Sequence, residues 1–310
     1  MKILVTGGTG LVGYGIQDIH YDYNHDFIFI SSKDCNLLDL QQVKELFEKE
    51  KPDYVIHLAA YVGGLFKNMN YKVDMYEKNI LINYNVLKCC HDFNVKKVVS
   101  CLSTCIFPNK TTYPINEEML HDGPPHSSND AYAYAKRMLE IQSNAYQEQY
   151  DDNFICVIPT NIYGEYDNYS LEDGHVIPAL IHKCYLAKLE NKPFIVCGSG
   201  KPLRQFIYSI DLAKLIVWAL LDYDQKKSII LSVNEKNEIS IEDVARMIAR
   251  EFDYESNIKF DTSYSDGQFK KTADNSKLMK LYPDFEFTNI NIGIHNSVEW
   301  FKNNYNYCRK

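Results

Sequence analysis

The sequence has no run of proline, glycine or serine long enough to act as a flexible linker, and charged residues make up only 24%, which argues against a disordered chain. It also lacks a basic excess. The formal charge is -8, and the counterion release that drives nucleic-acid binding needs a basic face that this sequence does not show. No uninterrupted apolar stretch approaches membrane-spanning length, and the first six residues carry neither the basic flank nor the cleavable apolar segment of a secretory signal. A cytoplasmic protein without membrane or nucleic-acid partners is expected. Nine cysteines, an odd number, are scattered without paired CxxC spacing, so reduced thiols are predicted and no metal site. Cys89 and Cys90, adjacent on a helical pattern, are expected simply to pack.

What the chain does have is alternation. KILVT (residues 2–6) is a short apolar run followed by glycines and a helical pattern from Leu11, and FIFIS (27–31) follows as a second strand. A helical segment over 40–49 precedes the strand YVIHL (54–58). A long helical pattern over 71–93 then leads to VVSCL (98–102), and ICVIP (155–159) continues the series. Continuous apolar strands separated by helices predict an α/β fold, a Rossmann-type doubly wound parallel sheet covered by helices on both faces. Beyond Asn161 the pattern loosens, with helices expected over 177–189 and 211–221 and a strand over 194–197. At 310 residues and 45% hydrophobic content, one large or two intimate domains are possible. The expected division is a cofactor domain over 1–160 plus about 203–232, and a smaller mixed α/β substrate domain over 161–202 and 233–310.

In the run Gly7-Gly8-Thr9-Gly10-Leu11-Val12-Gly13, three glycines stand in GxxGxxG spacing directly after a strand and at the start of a helix. Glycine permits the positive dihedrals and close approach that seat a pyrophosphate on a helix N-terminus; a merely structural turn is the alternative. A carboxylate ending the second strand would accept from the NAD ribose and repel the 2′-phosphate of NADP. Here Ser31, Ser32 and Lys33 stand there, with Asp34 slightly late, which favours NADP over NAD. Asp39 is a candidate partner for the adenine amine or, equally, the N-cap of the next helix.

Tyr132 and Lys136 are four residues apart, so on a helix they share one face, and a nearby ammonium is expected to lower the phenol's pKa from about 10. Ser103 follows the strand VVSCL. Together with HLAA at 57–60, these motifs resemble those of the extended short-chain dehydrogenase/reductases. The resemblance implies that Ser103 and Tyr132 hydrogen-bond a substrate C4 oxygen and that Lys136 also binds the nicotinamide ribose. It further implies that Leu58, Ala59, Ala60, Leu102, Pro159, Asn161, Ile162 and His175 adjoin the cofactor; for Asn161 a capping role is the alternative. The hydride must come from NADPH, since no side chain supplies one.

Within that family, the stretches VGGLFKN (62–68), STCIFP (103–108), PTNIYG (159–164), DGHVIPALIHK (173–183) and SDGQFKK (265–271) resemble the branch that acts on GDP-4-keto-6-deoxy-D-mannose. Those enzymes epimerise C3 and C5, reduce C4 with NADPH to give GDP-L-fucose, and usually form homodimers through two long helices, here 71–93 and 132–150. Cys105 and His175 match the branch's epimerising pair, base and acid. Taken alone, Cys105 reads as a core cysteine and His175 as a structural histidine. The resemblance makes Arg204 the leading candidate for the GDP pyrophosphate, with a surface arginine as the alternative. Lys183 and Lys271 are expected to add charge and Asp266 to meet the sugar or nucleotide, while Cys197 stands where the branch usually carries tryptophan. Two other readings stay open. One is a different NAD(P)-dependent nucleotide-sugar epimerase or dehydratase, although Thr104 and Cys105 occupy the loop where a dehydratase needs a carboxylic acid. The other is a non-catalytic NADPH-binding module, which typically loses the tyrosine or lysine.

Overall fold

A computed structural model of the chain describes residues 1–264, 266 and 268–310, apart from the side chains of Leu65 and Phe66. Ser265 and Gly267, both in the SDGQFKK stretch, lie outside the described residues. The chain divides into two compact units. The first comprises Met1–Thr111, Glu117–Pro159 and Ile210–Leu231. With strands numbered along the chain, it holds β1 (Lys2–Thr6), β2 (Asp26–Ile30), β3 (Tyr54–His57), β4 (Lys97–Cys101), β5 (Phe154–Pro159) and β10 (Ile229–Leu231). These form one six-stranded, all-parallel sheet in the order β10-β5-β4-β3-β1-β2.

Burial explains why the interior strands read as unbroken apolar runs. Every residue of β4 and β5 is buried, and all but the first of β1 and β3, whereas the edge strand β2 buries only Ile30. Each fully enclosed aliphatic side chain contributes about 1.5–3 kcal/mol. Lys97 is the charged residue of β4, and its ammonium donates to the Tyr223 carbonyl at 2.6 Å. The connecting helices are α1 (Leu11–Ile19), α2 (Leu40–Glu50), α3 (Leu65–Asn70), α4 (Lys72–Asp92), α5 (Asp130–Tyr150) and α7 (Ser209–Leu221), with α4 packed along α5. Because β2 lies outside β1 and β3 returns to its other side, the sheet has a switch point between the carboxyl ends of β1 and β3, where ligands of open α/β sheets bind.

The second unit comprises Thr112–Asn116, Thr160–Ser209 and Ser232–Lys310. It pairs β6 (Asn161–Tyr163) with β9 (Phe206–Tyr208), β7 (Phe194–Cys197) with β12 (Ile258–Asp261), and β8 (Leu203–Arg204) with β11 (Ile239–Ser240). Its helices are α6 (Val176–Leu189), α8 (Ile241–Glu251), α9 (Ser276–Leu281) and α10 (Ile290–Asn304). Residues 203–209, expected with the cofactor unit, belong here because β8 and β9 find their partners in β11 and β6. Residues 112–116 join the same unit, with Ile115 bridging to Ala273.

Candidate active site

The glycine turn sits at the end of β1. Gly7 has φ +71°, and a Cβ there would meet the Ala59 nitrogen at 2.8 Å; on Gly13 it would meet the Gly7 and Gly8 carbonyl oxygens at 2.4 Å. Both positions must therefore be glycine for β1, the start of α1 and the residues after β3 to approach this closely. Gly10 is the N-cap of α1, which has no side-chain cap and no acidic residue in its first turn, leaving its first N–H groups available to an anion. Thr9 and Leu11 lie at the turn, and Gly8, Val12 and Gly13 are buried. A pyrophosphate fits this cradle.

After β2 the chain turns through Ser31 and Asp34. The Ser31 N–H and hydroxyl both donate to Asp34 Oδ2, at 2.8 and 2.7 Å. One of the two hydroxyls expected to meet a phosphate is thus engaged by Asp34, whose pKa those bonds lower, with Lys33 adding to the effect. Ser32 and Lys33 are exposed in this turn. Asp39 does not reach beyond its own helix: its carboxylate accepts from the Gln41 and Gln42 N–H groups and caps α2.

The strand ends at the switch point are tied together by a buried chain of hydrogen bonds. The Ala59 N–H donates to Thr6 Oγ1 (3.3 Å), Thr6 Oγ1 pairs with His57 Nδ1 (2.8 Å), and His57 Nε2 pairs with Asn83 Oδ1 on α4 (3.1 Å). With an amide oxygen facing Nε2, that nitrogen carries the proton and Nδ1 accepts from the threonine. Burial, and secondarily the Lys136 charge, depress the His57 pKa to about 3, so the ring stays neutral. This has a consequence for acid stability. Below its unfolded value of about 6.5, the unfolded imidazole binds a proton that the folded one refuses down to about 3. The unfolded state is then favoured progressively as pH falls through that window. Wild-type melting temperature should therefore fall more steeply between about pH 6 and 4 than that of His57→Gln; parallel curves would remove His57 from the acid response.

The catalytic candidates of the first unit gather around one short turn. Ser103 Oγ accepts from the Cys105 N–H at 3.4 Å and caps the single helical turn Thr104–Ile106. Leu102, just before it, is buried and its N–H bonds the Val157 carbonyl. Two neighbours on α5 grip the segment from either side. Lys136 Nζ donates to the Cys101 carbonyl (2.8 Å) and Arg137 Nε to the Ile106 carbonyl (2.6 Å). Tyr132 is half-buried one turn before Lys136, whose ammonium stands 6.0 Å from its ring centre.

Proximity of that ammonium was expected to lower the Tyr132 pKa, and the structure reverses this. Burial dominates and, with the nearby Cys105 and Cys101, holds the phenol well above its ordinary range, while the lysine is engaged by a carbonyl. Tyr132 is accordingly a protonated phenol, suited to give a proton rather than take one.

In the second unit, the Asn161 backbone and side-chain amides both donate to the Gln205 carbonyl, fixing β6 beside β9. Ile162 is half-buried in the same strand, and Pro159 closes β5 of the first unit. His175 is exposed at the N-cap of α6. Lys183 on that helix contacts Cys197 Sγ at 3.7 Å, bringing two substrate candidates together. Arg204 is half-buried and donates to the carbonyls of Leu203, Gln268 and Phe269. Part of its fork therefore holds the 268–269 segment against β8. Both Asp266 oxygens accept from Ser199, so this carboxylate braces the turn in which Gly198 and Gly200 have positive φ. Lys271 is half-buried further along that segment.

Three residues escaped the sequence reading. Asn83 signals itself only as a polar residue one turn from the buried Asn79, whose side chain clamps both backbone groups of Tyr61. Asp167 is 4% exposed, and burial pushes its pKa up to about 6 against the opposing influence of His175. Arg137 directly follows the YxxxK motif, where a surface arginine would be the ordinary reading.

The chain matches the model of the NAD-dependent epimerase/dehydratase family over residues 3–233. It is 57% identical to a GDP-L-fucose synthase of Dictyostelium discoideum, covering 99% of this chain and 97% of that one. It is 48% identical to a probable GDP-L-fucose synthase of Drosophila melanogaster, over 100% and 99%. Among solved structures it is similar to a GDP-L-fucose synthetase from Naegleria fowleri bound to NADP, with TM-score 0.96 and 50% identity over 100% of this chain and 95% of that one.

Proposed function

The chain belongs to the NAD-dependent epimerase/dehydratase family, and from that premise we infer that it converts GDP-4-keto-6-deoxy-D-mannose to GDP-L-fucose, epimerising C3 and C5 and reducing the C4 ketone with NADPH. The observation that carries this reading is the gathering of Ser103, Cys105, Tyr132 and Lys136 about one turn after β4.

NADPH, when bound, supplies the hydride. Residues 7–13 would cradle its pyrophosphate, Ser32 and Lys33 its 2′-phosphate, and Leu58, Ala59, Ala60, Leu102, Pro159, Asn161 and Ile162 its nicotinamide end. Ser103 and Tyr132 donate hydrogen bonds to the C4 oxygen. Both epimerised carbons adjoin that ketone, so loss of either proton gives an enolate whose oxygen the same two donors stabilise. Cys105 takes the carbon-bound proton onto sulfur as the C–H electron pair passes into the enolate, and His175 returns a proton from the opposite face. When hydride reaches C4, Tyr132 gives its own proton to the oxygen. Lys183, Arg204 and Lys271 are assigned to the charge of the GDP moiety. The deciding assay combines the protein with NADPH and GDP-4-keto-6-deoxy-D-mannose. One NADPH should disappear for each GDP-L-fucose formed; no NADPH loss, with turnover of a UDP-sugar instead, would move the chain to another branch of the family.

The subunits are assigned to a homodimer through α4 and α5. Val73, Tyr76, Leu81 and Tyr84 on α4, with Tyr134 and Ile141 on α5, are all exposed apolar side chains, a density that favours a partner surface. Sedimentation should give the mass of two chains, and a monomer at micromolar concentration would overturn this. Among the described residues no disulfide joins any of the nine cysteines, and no helix is long and apolar enough to cross a membrane. Thiols in this state suit a reducing compartment, and we place the reaction in the cytoplasm.

A further inference from the structure

Two adjacent cations, Lys136 and Arg137, are buried to 2% and 5% exposure. Each has one hydrogen bond to a main-chain carbonyl, of Cys101 and Ile106 respectively. Arg137 Nη2 is buried and has no partner among the described residues, and the guanidinium stands 5.6 Å from the Tyr134 ring centre. Among the described residues no carboxylate pairs with either cation. A buried charge without a counter-ion is costly, and arginine does not escape the cost by losing its proton.

The groups that face these cations and are able to carry negative charge are thiols and phenols. Burial lowers the pKa of both cations, and Cys101, Cys105 and Cys156 oppose that loss of charge at Lys136 as Tyr134 and Cys105 do at Arg137. Tyr132 is held protonated by burial, and His57, on the β3 side, is buried and neutral. Cys101 and Cys156 are enclosed in β4 and β5, where burial raises both thiols, Cys156 to about 12. Cys105 differs. It is only half-buried, it lies within the electrostatic reach of both cations, and its turn is the one whose final carbonyl Arg137 holds.

We propose that Arg137 is a positioning residue for epimerisation, fixing the Thr104–Ile106 turn and keeping Cys105 as a thiolate near neutral pH. The proposal rests on the reading of Cys105 as the base that takes the C3 or C5 proton. A thiolate accepts that proton directly and becomes a neutral thiol, which gives the proton up to solvent before it can act on the second carbon or on the next substrate. The same negative charge helps hold Tyr132 protonated, and its neutralisation eases proton release from the phenol when the ketone is to be reduced.

The test is alkylation of Cys105 by iodoacetamide in the full-length protein with NADP bound, read at that residue by peptide mass analysis across a pH series. Wild type should show a reactivity midpoint at least about one unit below the ordinary thiol value of about 8.5. Arg137→Gln should raise the midpoint by about one unit, slowing alkylation at neutral pH by about tenfold. Solvent-deuterium incorporation into the sugar should fall in parallel and recover near pH 9, a pH rescue that a merely distorted turn would not give. Arg137→Lys, which keeps the charge, should stay close to wild type. An unmoved midpoint in Arg137→Gln overturns the proposal, and so does an ordinary midpoint in wild type, a measurement that needs no variant to fold. The reading of Cys105 as base fails separately, if Cys105→Ser still exchanges deuterium.

Discussion

Tyr132→Phe is expected to lower kcat for NADPH oxidation by about 10³-fold while leaving NADPH affinity nearly unchanged. The phenyl ring keeps the packing of the half-buried side chain, so what is lost is one hydroxyl, the proton donor for the C4 oxygen. A loss of this size is ordinary for deletion of a general acid. Cofactor binding should survive for a reason specific to this structure. Lys136 is held by the Cys101 carbonyl, and removal of the tyrosine hydroxyl leaves that bond in place. Single-turnover NADPH oxidation, set beside a fluorescence titration of NADPH, separates the two effects. Turnover equal to wild type would exclude Tyr132 from the reaction.

Cys105→Ser should all but stop solvent deuterium from entering the sugar at C3 and C5, by about 10²-fold or more, while reduction of the ketone continues at a measurable rate. Serine is close in size and retains the N–H that caps on Ser103, so the turn is preserved. Its hydroxyl, however, does not ionise in the range where a thiol does. Reduction needs the two donors on the C4 oxygen and the hydride, none of which passes through the thiol. The expected product is a GDP-sugar without inversion at C3 and C5, identifiable by its proton coupling constants. Undiminished exchange would contradict the assignment.

The sheet of the first unit was legible because its strands are buried on both faces and leave continuous apolar runs. KILVT coincides with β1 and β2 to β5 are displaced by a residue at most at either end, whereas the short edge strand β10 was not singled out in the sequence. The shift at β4 has a physical cause. Lys97 reads as a flanking charge, yet it opens the strand because the Tyr223 carbonyl, far along the chain, accepts its proton. The second unit was harder to read because its short strands find partners by long-range pairing, as Cys197 does with Asp261 and Arg204 with Ile239, and no periodicity announces a partner.

The same division runs through the site. Glycines, YxxxK and the serine after β4 are local patterns with local reasons. The sign of the Tyr132 shift, the burial of Arg137 and the neutral His57 depend on what surrounds them, and sequence neighbours do not report that. Asp39 shows the intermediate case, in which the capping role was readable and its carboxylate does cap α2.

The discontinuity of the first unit bears on how the protein is made. β5 pairs with β4 on one side and with β10 on the other, and residues 160–228 lie between those two strands. On the ribosome, Phe154–Pro159 emerges long before Ile229–Leu231, so an apolar strand waits with one row of its backbone amides and carbonyls unpaired. A nascent chain in that interval exposes a template for pairing with other chains. Translation stalled within residues 160–228 should therefore leave a species that depends on chaperones far more than the finished molecule does.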